Sequence, residues 1–363
     1  MRILFASSNH LPEIIGGLPI TTHQLARRLT ARGHSVAVLT APFPWWGKKS
    51  IWDKLRRRWL MLRDAPLHDR KFAYDVFRAL DPARSLEIVR KKFRPDVLVI
   101  NAGDESFSYP MMRAGSGIPT IVYFHGGVAL PLMQRSDFRA NLALTVAPHL
   151  TAAAADLGYR AEVITPLLET QEYQSPASRQ VVLLINPIPQ KGVDIAWAIA
   201  ERRPDIPFVF LEAWRLDRRT MTGLRERSRH QKNVQIRRAM SDPAQIYADA
   251  RILLAPYPAL EGSPRVVAEA QALGIPVVAT DVPSLRFTAG DGAVFVKEQA
   301  SIEDWEAAVS MLWDDKQQYE RYAQAALRHA TRPDVQPAHV VEQFEQAIAH
   351  ALAAAPLELV RLR

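Results

Sequence analysis

Short apolar runs alternate with helical periodicity along almost the whole chain, and this alternation restricts the possible folds more than any other feature. In the first half, strand-like segments lie at Arg2 to Ser8, Ser35 to Ala41, Asp96 to Asn101, Thr120 to Phe124, Leu142 to Ala147 and Glu162 to Pro166. Helical or turn material separates them, beginning with a helix over about Thr21 to Arg32. Strands joined through helices pair in parallel and need helices on both faces, so a doubly wound α/β sheet is expected. The polar stretch Leu168 to Gln180, with Pro176 inside it, interrupts the pattern as an interdomain linker does. Six further strands follow at Val181 to Asn186, Pro207 to Glu212, Val234 to Arg238, Ile252 to Ala255, Pro276 to Thr280 and Ala293 to Val296. Helices over about Ile302 to Trp313, Lys316 to Ala330 and Pro337 to Ala353 close the chain. The expectation is an α/β protein with two doubly wound domains in tandem, 1–170 and 178–336. Residues 337–363 form a terminal helix that crosses the cleft or packs onto the N-terminal domain.

The 363 residues exceed what one hydrophobic core usually serves, which agrees with two domains. No cysteine is present, which excludes disulfides, thiolate catalysis and cysteine-ligated metal and fits a reducing compartment. The chain enters its first apolar strand directly after Met1-Arg2 and turns polar at Ser7, too soon for a signal peptide. A cytoplasmic location is therefore expected. No apolar run reaches the ~20 residues of a spanning helix, which leaves only peripheral membrane contact. The segment Trp45 to Arg63 holds four of the eight tryptophans and seven basic residues against the single Asp53. Indoles and cations together suit an anionic membrane surface, such as the inner face of the plasma membrane. An acceptor-binding lid, or a basic helix whose tryptophans pack inward, satisfies the same composition. The net charge of +8 comes with no groove-binding motif, so nucleic acid is not an expected partner. No His and carboxylate cluster has metal-ligand spacing, and no metal is implied.

Parallel sheets bind ligands beyond the carboxyl ends of their strands, where glycines admit close backbone approach and helix N-termini favour phosphate. Three turns qualify. Gly16-Gly17 lies between the first strand and the first helix, and Lys191-Gly192 follows the first strand of the second half. The third is "LEGSPRVVAEAQALGIPVVAT", with Glu261 in a loop and Glu269 eight residues later inside a helix. On one straight helix such carboxylates would stand about 12 Å apart, beyond the ~5 to 9.5 Å of a glycosidase pair. With Glu261 in the loop they can instead grip separate parts of one ligand, and carboxylates accept hydrogen bonds from sugar diols.

The stretch resembles the Glu-x7-Glu signature of family 4 of the retaining glycosyltransferases. The resemblance extends to the "GG" loop with its helix, "PDVLVIN", "FHGG" at Phe124 to Gly127, "KG" at Lys191 and "EAQALGIPVVAT". It implies the GT-B fold, two facing Rossmann-like domains with a C-terminal crossover helix. The N-terminal domain would bind the acceptor and the C-terminal domain a nucleotide-diphosphate sugar, carrying UDP, GDP, ADP or TDP, as donor substrate rather than tightly bound cofactor. It further implies that Glu261 contacts the donor sugar hydroxyls, Glu269 the ribose and Lys191 the diphosphate. Gly16 and Gly17 admit backbone to the diphosphate or acceptor, and His125 sits beside the reacting sugar. Gly262, Ser263, Arg265 and Val266 complete the donor loop.

Two positions depart from the family pattern. Asn186 stands five residues before the lysine where an arginine is usual, and Ser263-Pro264 replaces Phe-Gly after the first glutamate. Each weakens the expected phosphate grip, since Pro264 lacks an N–H. Arg265, next in sequence, is a candidate to restore the charge. The implied activity is transfer of a sugar to a hydroxyl acceptor, a glycan, a lipid-linked molecule or a small molecule, with retention of anomeric configuration. The same fold also serves epimerases and phosphorylases. A catalytically silent, membrane-associated sugar-nucleotide-binding protein is the non-enzymatic alternative.

Overall fold

The computed structural model describes residues 1–12, 15–41, 65–135, 137–138, 140–173, 178–214, 216–238, 243–257 and 262–353. Glu261 and the segment Trp45 to Arg63 therefore lie outside the described residues. The chain divides into two compact units, Met1–Leu167 with the terminal segment from Pro337, and Leu168–Gln336.

The first unit carries β1 (Arg2–Ser7), α1 (Gly17–Ala31), β2 (Ser35–Thr40), β3 (Leu67–Asp69), β4 (Asp75–Arg78), α2 (Pro82–Phe93), β5 (Val97–Ala102), α3 (Glu105–Ala114), β6 (Thr120–Phe124), β7 (Leu142–Thr145), α4 (Pro148–Asp156) and β8 (Ala161–Val163). Its sheet runs in the order β3-β4-β2-β1-β5-β6-β7-β8. Only the β3–β4 pair is antiparallel. These two strands were not expected from the sequence, because they are short and their residues Leu67, His68 and Asp69 alternate no apolar face. Ile3, Leu4, Phe5 and Ala6 of β1 are fully buried, as a parallel strand covered on both faces requires.

The second unit carries β9 (Val181–Ile185), α5 (Val193–Arg202), β10 (Phe208–Leu211), α6 (Arg218–His230), β11 (Val234–Arg237), α7 (Pro243–Tyr247), β12 (Ala250–Ala255), α8 (Arg265–Ala272), β13 (Val277–Thr280), α9 (Pro283–Ala289), β14 (Ala293–Val296), α10 (Ile302–Asp314) and α11 (Lys316–Ala330). Its wholly parallel sheet runs β11-β10-β9-β12-β13-β14. Successive residues of β9 feed opposite cores. Val181, Leu183 and Ile185 pack with Val267 and Ala270 of α8, whereas Val182 and Leu184 pack with Trp197 of α5 and Trp305 of α10.

The terminal helix α12 (Pro337–Ala353) belongs to the first unit, where Phe344 stacks on Phe5 with ring centroids 5.8 Å apart. Among the described residues no helix is long and apolar enough to cross a membrane. Both sheets are doubly wound about an inner strand, so each has a topological switch point, between β1 and β5 and between β9 and β12.

Candidate functional site

At the second switch point the loops leaving β9 and β12 meet. Lys191 ends a 3-10 turn over Pro189–Lys191, and its Nζ lies 4.2 Å from the ring centroid of Tyr257, which follows β12. Gly192 then takes φ +69° and opens α5, and a Cβ there would collide with the Pro256 ring. Only glycine lets the two loops close on one another. The lysine is thus positioned at the crevice where open α/β sheets hold ligands, with its ammonium over an aromatic face.

Asn186, where the resemblance implies an arginine, directly follows β9 with φ +58°, a left-handed conformation that asparagine tolerates well. Its Oδ1 accepts the N–H groups of Ala213 (2.9 Å) and Trp214 (3.2 Å) in the loop after β10. The buried Glu212 adds a third anchor, accepting the Leu216 N–H at 2.7 Å. Asn186 therefore organises the neighbouring loop through its amide and brings no charge.

Gly262 to Glu269 lead into and form the first part of α8, the helix that follows β12. Gly262 is buried, and Ser263 Oγ lies 3.1 Å from Thr288 Oγ1 on α9. Pro264 forms the N-cap of α8, φ −66° and ψ 107°, where its missing N–H leaves no helical bond unmade. Arg265 is buried, and its Nε lies 3.3 Å from Glu269 Oε1, a pair one helical turn apart with side chains 5% and 7% exposed. The same Oε1 accepts the Tyr173 hydroxyl at 2.8 Å, and Oε2 accepts the Tyr247 hydroxyl at 2.7 Å. Burial, with the adjacent carboxylate, pushes both phenols upward, so both remain donors. Val266 packs against the core and offers its carbonyl to Tyr247. Glu269 thus already holds three protein hydrogen bonds.

At the first switch point Gly16 caps α1 in an extended conformation, φ −170°, and a Cβ there would meet only Pro19 at 3.8 Å. Neither backbone nor packing demands glycine at this position. Gly17 follows as the first residue of α1. His125 comes directly after β6, donates its backbone N–H to Ala102 and places Nε2 3.0 Å from Asn101 Oδ1. Burial pushes its imidazole down to about 3, so it is neutral at pH 7. Asn101 Nδ2 continues to Thr22 Oγ1 at 3.0 Å, both residues being buried. A cavity of about 280 Å³ lined by His34, Phe72, Tyr74 and Asp75 lies at the opposite, amino-terminal edge of this sheet.

Sequence reasoning missed Asn101, Thr22, Tyr173, Tyr247 and Tyr257. The signal available for Tyr173 was its place as the lone aromatic residue in the polar stretch Leu168 to Gln180.

Two doubly wound, largely parallel units, each with a topological switch point, are the architecture of the GT-B fold. The chain belongs to the glycosyltransferases: residues 15–145 match the family model described as Glycosyltransferase Family 4, and residues 198–315 that described as Glycosyl transferases group 1. Together the two spans exceed half of the chain. Among solved structures, sucrose-phosphate synthase from Thermosynechococcus elongatus is similar at a TM-score of 0.76 and 15% identity, over 98% of this chain and 100% of that one. HepE of Anabaena, in complex with UDP-glucose, gives 0.70 and 17%, over 96% and 99%. WaaG, a glycosyltransferase involved in lipopolysaccharide biosynthesis, gives 0.66 and 17%, over 94% and 99%. No curated protein sequence matches the chain.

Proposed function

We propose that this chain is a retaining hexosyltransferase that moves a sugar from a nucleotide-diphosphate donor to a hydroxyl acceptor, with the donor held at the carboxyl end of the second sheet. The observation that carries the reading is Lys191, set over Tyr257 where the loops after β9 and β12 close through Gly192. A cation fixed at this crevice fits a diphosphate, and the HepE structures, whose ligands are UDP and UDP-glucose, support that class of donor. Glu261 is assigned to the hydroxyls of the transferred sugar. Gly262 and Ser263 line the diphosphate, and Gly16 and Gly17 admit backbone to a ligand at the first sheet. Glu269, with three of its lone pairs engaged, is assigned one ribose hydroxyl on Oε2 rather than a two-point grip. Arg265 and Val266 support the loop through Glu269 and the core.

In the reaction the bond from the anomeric carbon to the diphosphate oxygen breaks, and the acceptor oxygen bonds to that carbon on the same face. The acceptor's proton leaves with the departing diphosphate. No side-chain base is required, and catalysis rests on positioning and on the charge of Lys191 facing the leaving group.

A thermal-shift panel of UDP-, GDP-, ADP- and TDP-glucose tests the donor class. A ligand present at 100 times its Kd stabilises the native state by about 2.7 kcal/mol. Lys191→Ala is expected to abolish that shift and lower transfer by roughly 100-fold or more, while the unliganded melting temperature stays. Turnover at the wild-type rate in Lys191→Ala, or in Glu261→Ala, refutes the assignment. One observation favours a second reading, a sugar-nucleotide-binding protein without turnover: the family's arginine is replaced by Asn186, which is committed to the loop after β10. Donor binding with no product from any acceptor would select it.

A further inference from the structure

The hydrogen-bond chain that ends on His125 has a direction. Thr22 Oγ1 donates to the Leu18 carbonyl one turn back in α1, at 2.9 Å. Its proton is thereby committed, so toward Asn101 it acts as acceptor and the amide must present Nδ2 to it. The other end of the amide, Oδ1, then faces His125 Nε2 at 3.0 Å. An oxygen acceptor there demands a proton on Nε2. In a neutral imidazole the proton on one nitrogen leaves the other, here Nδ1, as an acceptor. Thr22 and Asn101 are each 1% exposed, so water does not compete for either of them.

We propose that Thr22 and Asn101 are positioning residues that lock His125 in its Nε2–H tautomer, which leaves Nδ1 as a hydrogen-bond acceptor at the carboxyl end of the first sheet. The lock follows from the order of donors and acceptors, Leu18 carbonyl, Thr22 hydroxyl, Asn101 amide, imidazole, which allows one arrangement of protons. Burial of the ring, which holds it neutral, keeps that arrangement through the acid range in which a free histidine would gain a second proton.

The test is two-bond proton–nitrogen correlation on the full chain labelled with ¹⁵N-histidine, the His125 signals being identified by their loss in His125→Gln. The wild type is expected to show the Nε2–H pattern unchanged between pH 8 and pH 5. Thr22→Val removes the acceptor that orients the amide and should mix the two tautomers, whereas Thr22→Ser, which keeps the hydroxyl, should restore the wild-type pattern. Thr22→Val is nearly isosteric and keeps the question answerable if Asn101→Leu fails to fold. An Nδ1–H pattern in the wild type, or an unchanged pattern in Thr22→Val, overturns the lock.

Discussion

Single residues at the second switch point divide into those that close the loops and those proposed to meet the ligand. Gly192 belongs to the first kind: with φ +69° and Pro256 against its α-carbon, Gly192→Ala strains the backbone and pushes the two loops apart. The backbone strain alone is worth about 1–3 kcal/mol, so urea denaturation should show a loss of at least that size, accompanied by weaker nucleotide binding. Asn186 is of the same kind. Asn186→Ala leaves the N–H groups of Ala213 and Trp214 without their acceptor and is expected to cost about 1–3 kcal/mol. Asn186→Arg, which restores the family's charge, should lose the same anchor. If Asn186→Arg instead strengthened nucleotide binding at unchanged stability, the anchoring role would be wrong.

At the scale of the element, α8 shows a helix organised around one buried carboxylate. Glu269 receives the hydroxyls of Tyr173 and Tyr247 and pairs with Arg265 one turn earlier, so three elements of the second unit converge on it. Removing one partner of a buried ion pair strands the other, at a cost of about 3–5 kcal/mol. Glu269→Ala should therefore lower the midpoint of chemical unfolding strongly, whatever ligand is present. A Glu269→Ala protein as stable as wild type but unable to bind nucleotide would mean that the carboxylate serves only the ligand. Helix α12 plays the matching part in the first unit, since Phe344 is buried against Phe5 and Tyr123. Phe344→Ala should cost about 3–5 kcal/mol in that unit and leave nucleotide binding by the second unit intact, which calorimetry with and without nucleotide can separate.

For the molecule as a whole, two histidines held neutral by desolvation contribute to the response to acid. Burial lowers His125 to about 3, and burial with Arg78 and His23 nearby lowers His10 to about 3. In the unfolded chain both return to about 6.5. Between those values the unfolded state binds protons that the folded state refuses. Stability is thus fully present above pH 6.5 and falls as the pH drops toward 3, by about 1.4 kcal/mol per pH unit for each histidine. Urea midpoints at pH 7 and pH 5 should show this loss, and His125→Gln should remove its share.

How much of this was legible in the sequence follows from the range of the interactions involved. The central strands are continuous runs of Val, Ile and Leu because a parallel strand covered on both faces needs apolar side chains in both directions, and such runs are visible without coordinates. The same holds for Lys191-Gly192, whose place after the first strand of a restarted pattern already indicated the second switch point. The strands β3 and β4 were not legible, since three or four residues with no alternating face acquire their identity only by pairing with β2. Nor was the fate of Glu269 or Asn186. The sequence by itself determined two largely parallel sheets, the glycine turns that follow their first strands and the glycosyltransferase class, because these depend on local periodicity and on spacing within one turn. Only the tertiary structure decided that Glu269 is shared between two tyrosines and an arginine, that Asn186 binds a neighbouring loop, and that His125 is held through Asn101 and Thr22. Those partners stand 22 and 96, 27 and 28, and 24 and 79 residues apart along the chain, and it is chain folding that brings such groups within hydrogen-bonding distance.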